Sequence, residues 1–487
     1  MNQKVQLGYQ STGVPGLDTL LGGGLSEFSF NVIAGAPGSG KTTLAHQIMF
    51  ALAGEQKKAL FFTVLGEPPL KMLRYQQQYS FFDIDKVDAH IRYVNLAEDL
   101  RAGDFSGVLE RIMREVEAFS PGLVFVDSFR SVIQMAKNGN EGEADLQRFV
   151  QELGMRMTSW QATTFLIGEY AKAEVEANPV MTVADGMFLL TQQVTQNSVV
   201  RKIRIVKMRG HAHLNGAHTF RITGDGLRIY PRLLPPSASA RGWPDQGPLV
   251  PIGNAELDQM LGGGVPHGHA VLVVGPSGSG KTILATAFLA QGVRQGEPGI
   301  VACFEKAPSR LRNAALADLV RAGTVTLVET RSLDLSIEEI LDDLVREIAR
   351  TGARRVVIDS LSEVGLYLAP EFRDDFRATV FRVLACLASE GVTLLLTMGM
   401  EDRFTDLRFS MADASFLADA IIAMRYVEIE GRLSKLISVV KVRGSEHSTD
   451  LRRYVITGAG LAIDPSPMRF DGLLSGHPSA SKAPDQG

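Results

Sequence analysis

Short, largely apolar runs recur along the chain, and several of them lead into a glycine loop. Phe28–Ala34 and Ala270–Val274 are two such runs. Both read as short buried strands. The period then changes. Leu44, Ile48 and Ala51 recur at helical spacing, as do Ile283 with Ala287 and Leu284 with Phe288. Each run therefore predicts a strand, a glycine loop and a helix. Leu123–Val126 and Val356–Ile358 are further apolar runs, each followed by Asp. Strands alternating with helices predict an α/β fold with a central, mostly parallel sheet flanked by helices.

The pattern is written twice. Ser11-Thr-Gly-Val-Pro-Gly-Leu-Asp18 is matched by Ile252-Gly-Asn-Ala-Glu-Leu-Asp258, and each is followed by a Leu-Gly-Gly-Gly run. Asp18 and Asp258 stand 240 positions apart (258 − 18), as do Lys41 and Lys281 (281 − 41). Asp127 and Asp359 differ by 232 (359 − 127), and Lys207 and Lys441 by 234 (441 − 207). Four features kept in order at nearly constant spacing predict a tandem duplication. The expected organisation is a first domain over 1–230, a Pro-rich linker over 231–251, a second domain over 252–465 and a short tail over 466–487. The tail's Pro-Ser-Ala-Ser echoes the same four residues in the linker.

Composition narrows the class. The 487 residues carry 50 Lys+Arg against 54 Asp+Glu, a net charge of −4. Such balance argues against nucleic-acid binding through bulk charge. Cys303 and Cys386 are the only cysteines, too few for a disulfide framework or a four-ligand zinc site, and their apolar surroundings predict buried thiols. His211 and His213 alone do not make a metal site. No apolar run reaches the ~20 residues that span a bilayer, and Met1–Gln10 has no signal-peptide core. A soluble, cytoplasmic protein is expected.

The two glycine loops carry the chemistry. Gly35-Ala-Pro-Gly38-Ser39-Gly40-Lys41-Thr42 and Gly275-Pro-Ser-Gly278-Ser279-Gly280-Lys281-Thr282 both fit G-x4-G-K-[ST]. Glycines let backbone N–H groups curl around phosphate oxygens, and the following helix adds its positive end. With Thr43 and Ile283 completing the first helical positions, these residues form two expected ATP sites. Lys41 and Lys281 would neutralise the β- and γ-phosphates. Thr42 with Asp127, and Thr282 with Asp359, would hold Mg²⁺. The attacking oxygen also needs a carboxylate to orient it. Glu305 directly follows the apolar Val301–Phe304, while Glu67 comes slightly later after Leu60–Val64. Lys207-Met-Arg209-Gly and Lys441-Val-Arg443-Gly end alternating strands, on which residues i and i+2 share a face. Each Lys–Arg pair therefore presents two cations together, suited to a neighbouring protomer's phosphates.

Tandem units with GxxxxGKT, a strand-end Asp-Ser and K-x-R-G strongly resemble the KaiC family of tandem RecA-like P-loop NTPases, over nearly the whole chain. The likeness is closest from Tyr426 to Gly444, with His447 three residues on and His213 in the matching place of the first unit. The resemblance implies a homo-hexamer of two stacked rings with ATP between protomers. It implies an ATPase in the first ring and an autokinase in the second. It admits as partners a KaiB-like protein on the first domain, or two-component signalling proteins. Three departures accompany it. Counting back from Tyr426, the family's adjacent Ser and Thr phosphosites fall on Ser415 and Phe416, so one acceptor is missing; Ser410 is the second choice. Leu65-Gly66 occupies the ungapped place of the first ring's glutamate pair, and Lys306 follows Glu305 where a second glutamate is usual. The longer tail through which cyanobacterial members engage their activator is not expected here. Asp413 and Asp419, beside the acceptor, read as solvated or capping carboxylates.

Two other functions compete. A nucleotide-gated scaffold would bind ATP in both rings and signal through its surfaces; the incomplete glutamate pairs and the missing Thr suit it. A DNA-binding RecA-type recombinase would need basic loops interleaved with aromatics, which the sequence lacks.

Overall fold

The computed structural model describes residues 8–63, 69–101, 105–129, 143–170, 182–195, 198–232, 249–304, 313–329, 335–368, 372, 376–399, 418–429, 431–468, 470–471 and 479–480. The chain divides into two compact units, Met1–Arg232 and Leu233–Gly487.

The first unit is organised on a nine-stranded sheet. Its strands are β1 (Phe30–Gly35), β2 (Ala59–Thr63), β3 (Ile91–Asn95), β4 (Leu123–Asp127), β5 (Thr163–Glu169), β6 (Gly186–Thr195), β7 (Ser198–Met208), β8 (His218–Thr223) and β9 (Gly226–Tyr230). Across the sheet they run β9-β8-β7-β6-β1-β5-β4-β2-β3. From β6 to β3 all neighbours are parallel, and β7, β8 and β9 extend the sheet antiparallel. Helices α1 (Lys41–Leu52), α2 (Phe105–Phe119) and α3 (Glu143–Ser159) cover its two faces.

The second unit repeats this plan. Its strands are β10 (Ala270–Gly275), β11 (Gly299–Cys303), β12 (Val325–Glu329), β13 (Arg355–Asp359), β14 (Thr393–Gly399), β15 (Ala420–Ile429), β16 (Arg432–Val442), β17 (Arg452–Thr457) and β18 (Gly460–Pro467). Their order is β12-β11-β13-β14-β10-β15-β16-β17-β18. Its helices include α4 (Lys281–Arg294), α5 (Ile337–Thr351) and α6 (Phe376–Ser389). Both units thus have the tandem RecA-like α/β architecture expected from the sequence.

Continuous apolar runs become central strands because both faces are covered. In the first unit Val32, Leu60, Val124 and Leu166 face one cluster with Ile112, Val116 and Leu153. Ile33, Phe61, Phe125 and Phe165 point the other way, onto Leu44, Ile48 and Phe50 of α1. Burying one such side chain contributes about 1.5–3 kcal/mol. Phe61, Phe125 and Phe165 stack across three strands, with ring centroids 5.9 and 4.9 Å apart. Two details differ from the expectation. Ala51 is exposed, so the buried face of α1 runs through Leu44 and Ile48 without it. Likewise β1 starts at Phe30, because Phe28 has φ 58 and cannot continue an extended strand. Cys303 and Cys386 are free and buried, as expected.

The repeated Asp18 and Asp258 have a local cause. Asp18 accepts from the Thr12 amide at 2.8 Å and from its hydroxyl at 2.6 Å. Asp258 accepts from the Ile252 and Gly253 amides at 2.6 and 3.1 Å. In each unit the carboxylate ties the entering chain to a short helix ahead of the glycine-loop strand.

Candidate functional site

Both glycine loops lie at the carboxyl ends of the parallel strands, the usual ligand crevice of such sheets. Gly40 and Gly280 cap α1 and α4 with φ 99 and φ 102. A Cβ at Gly40 would stand 2.8 Å from Ile222 Cδ1, and one at Gly280 3.1 Å from Leu461 Cδ2. Left-handed backbone and close cover together require glycine there. The antiparallel strands therefore press on the loops from outside. In the second unit they also hold by hydrogen bonds: Tyr454 Oη donates to Ser279 O at 2.6 Å and Tyr426 Oη to Ser277 O at 3.3 Å. Sequence reading gave neither tyrosine a role at the loop. Only the pairing of β17 beyond β16 and β15 brings Tyr454 to the loop.

The lysines fold back on their own loops. Lys41 Nζ donates to Ala36 O at 2.9 Å, and Lys281 Nζ to Gly275 O and Pro276 O at 2.8 and 2.9 Å. Burial pulls both ammonium groups below the ordinary lysine range. Glu169 and then Asp127 oppose that for Lys41; Asp359 and then Glu363 oppose it for Lys281. A partly desolvated cation among carboxylates suits a phosphate chain, whose charge compensates the burial.

Sequence reasoning pairs Thr42 with Asp127 and Thr282 with Asp359, and the structure brings each pair together. Each threonine Oγ1 donates to its aspartate Oδ2 at 2.7 Å. Asp359 also accepts from the Thr397 hydroxyl. The peptide bonds Asp127–Ser128 and Asp359–Ser360 are both cis. A hydroxyl and a carboxylate are hard oxygen donors, and Mg²⁺ takes one or two such ligands beside phosphate and water. The donor set therefore fits Mg²⁺ with ATP. Among the described residues no group of three or more His, Cys, Asp or Glu could hold a metal by itself.

In the second unit a cleft of about 930 Å³ opens from this end of the sheet, lined by Gly278, Gly280, Lys281, Thr282, Ile283 and Asp359 among others. Lys441, Arg443 and His447 do not line it. Lys441 Nζ donates to Ala418 O at 3.0 Å, and Arg443 meets Asp419 at 3.5 Å. In the first unit Lys207 Nζ and Arg209 Nη2 reach the same oxygen, Thr182 O, at 3.1 and 3.3 Å, so the pair does share a side. Arg209 also meets Asp185 at 3.2 Å. Burial and then the adjacent arginine lower each lysine's pKa, against Asp185 or Asp419. A register shift precedes the pair in both units, between Met187 and Phe188 and between Ile421 and Ile422. Half-buried His213 and His447 lie on the following loops, which Leu214 N and Ser448 N tie to Leu20 O and Met260 O at 2.9 and 2.8 Å.

One expectation is corrected. Asp419 is not solvated: its side chain is 14% exposed, and it accepts from Ala270 N at 3.0 Å while holding Arg443. Asp185 does the same from Phe30 N, at 3.0 Å. These carboxylates link the glycine-loop strand to the Lys–Arg pair, and their recurrence 234 positions apart (419 − 185) was the available signal. Glu67, Glu305, Ser410, Ser415 and Asp413 lie outside the described residues.

The units also differ. One turn after Thr42, His46 is fully buried; its Nδ1–H donates to Thr42 O at 2.8 Å, and its ring lies 4.5 Å from Phe61 and 6.1 Å from Tyr93. Burial holds its pKa down at about 4. Thr286 has this place in the second unit and donates to Thr282 O at 2.8 Å. Opposite Gly35 on β5 stands Glu169, whereas Gly399 stands opposite Gly275 on β14.

A family model described as "ATPase: KaiC" matches residues 10–233 and again 250–468. The chain belongs to the KaiC ATPase family. It is 28% identical over 486 residues to a "Circadian clock oscillator protein KaiC" of Picosynechococcus sp., covering 96% of this chain and 91% of that protein. The protein of that name from Rippkaea orientalis is 28% identical over 490 residues, and "Circadian clock oscillator protein KaiC 1" of Synechocystis sp. likewise; each comparison covers 96% of this chain and 91% of the relative. KaiC-family membership makes this an ATP-binding protein of the ATPase class. Among the described residues no helix is long and apolar enough to cross a membrane.

Proposed function

We propose that the protein is a KaiC-like homo-hexamer of two stacked rings that binds Mg²⁺ and ATP in both units, hydrolyses ATP, and phosphorylates its own Ser415 in the second. The observation that carries this reading is the duplicated contact between the loop threonine and the strand-end aspartate, at 2.7 Å in each unit. Bound Mg²⁺ would neutralise charge on the β- and γ-phosphates. The chain's own groups do the rest. Loop N–H groups and Lys41 or Lys281 bind the phosphate oxygens, and Thr42 with Asp127, or Thr282 with Asp359, orients the metal. Lys207 and Arg209, or Lys441 and Arg443, reach a neighbouring protomer's nucleotide, since the second pair stands outside its own unit's cleft. Glu67 and Glu305 are the strand-end carboxylates assigned to the attacking oxygen, with Glu305 serving the serine hydroxyl.

Lys41→Ala and Lys281→Ala, assayed separately, test the division of labour. Each should remove one of two bound nucleotides per chain, and only Lys281→Ala should abolish serine phosphorylation. A chain that binds ATP in both units without forming phosphoserine would be the nucleotide-gated scaffold; a KaiB-like or two-component partner would then read the bound state.

A further inference from the structure

The second unit carries a carboxylate outside the motifs described above. Glu363 lines the same cleft as Lys281, Thr282 and Asp359. It sits in the first turn of the helix Leu361–Tyr367, which begins directly after the strand-end Asp359-Ser360. Its neighbours anchor that turn. Leu361 and Val364 are 5% and 2% exposed in the core. Ser362 Oγ accepts from Gly399 N at 3.0 Å, and Glu363 N donates to Ser360 O at 3.0 Å. Glu363 lines the cleft together with Ser360 and Ser362, and its charge acts on the Lys281 ammonium.

Asp359, assigned with Thr282 to Mg²⁺, accepts from the Thr282 and Thr397 hydroxyls. Glu363 is a second carboxylate lining the cleft with Lys281, on a short, anchored turn. The position at the same distance beyond Asp127 in the first unit is Ser131, so the group belongs to the second unit alone. Glu305 is the carboxylate assigned above to the serine hydroxyl.

We propose that Glu363 prepares water for ATP hydrolysis in the second unit, separately from serine phosphorylation. As the water oxygen bonds to the γ-phosphorus, its O–H bond breaks and the proton passes to the Glu363 carboxylate. The bond from the γ-phosphorus to the bridging oxygen breaks, and ADP leaves with that electron pair. The carboxyl then returns its proton to solvent.

This rests on the second unit binding ATP, so the test uses the full chain with Lys41→Ala, which silences the first unit. Adding Glu363→Gln should leave binding of labelled ATP, and the Mg²⁺ concentration that half-saturates it, within about twofold, while phosphate release falls on the order of 10²-fold, the usual contribution of a positioned general base. Phosphoserine formation should persist. Unchanged phosphate release would overturn the proposal. So would a Mg²⁺ requirement raised about tenfold with full release at saturating Mg²⁺, which would make Glu363 a metal ligand. Loss of ATP binding in Lys41→Ala alone would overturn both this proposal and the functional reading beneath it.

Discussion

Tyr454, from the antiparallel edge of the second sheet, donates its hydroxyl proton to the carbonyl oxygen of Ser279 in the glycine loop, at 2.6 Å. The first unit has Phe220 on the matching strand, packed close to Gly40 without any such bond. Phe220 packs against the first loop, whereas Tyr454 donates a buried hydrogen bond to the second.

Removing that bond should loosen the second unit and leave the first intact. Tyr454→Phe keeps the ring, as Phe220 shows the fold allows, but leaves a buried carbonyl without its donor. The expected loss is about 1–2 kcal/mol. Urea unfolding followed by probes in each unit checks this. An equal loss in both units, or none, would show that the hydroxyl does not brace the loop.

Assembly should depend on nucleotide. If Lys441 and Arg443 serve a neighbour, light scattering should report a hexamer with ATP and Mg²⁺ and a smaller species once nucleotide is stripped. Arg443→Ala should weaken assembly while nucleotide affinity of the isolated chain stays the same. Loss of ATP binding by the monomeric variant would instead mean that the pair serves its own unit.

His46 makes stability depend on pH. Its folded pKa of about 4 lies below the ordinary histidine value of 6.5. Between these values the unfolded chain binds the proton and the folded chain does not, so stability rises with pH across pH 4 to 6.5. The effect is fully present above 6.5 and is lost as pH falls; from pH 7 to pH 5 the loss is about 2 kcal/mol. His46→Gln, whatever its stability at pH 7, should lose correspondingly less over that interval. Identical slopes for the two proteins would show that His46 is protonated in the fold.

The acceptor prediction is narrow. Ser415→Ala should abolish label from γ-labelled ATP, leaving nucleotide binding unchanged. Because Phe416 has no hydroxyl, no more than one dominant phosphate per chain is expected. Label that persists and maps to Ser410 would move the acceptor by five positions.

By itself the sequence determined the two units, the strand–loop–helix entry to each, and the pairing of Thr42 with Asp127 and Thr282 with Asp359. Those features depend on local periodicity, glycine loops and strand ends, which spacing along one chain records directly. Tertiary structure decided what distant strands bring together. The approach of β17 to the second glycine loop and the grip of Asp419 on Arg443 follow from sheet order and register, and the helix after β13 brings Glu363 to the cleft. Asp419 shows why: read along the chain it is one more polar residue before a strand. Only the pairing of β10 with β15 carries it to the amide of Ala270, where burial and two partners fix its role.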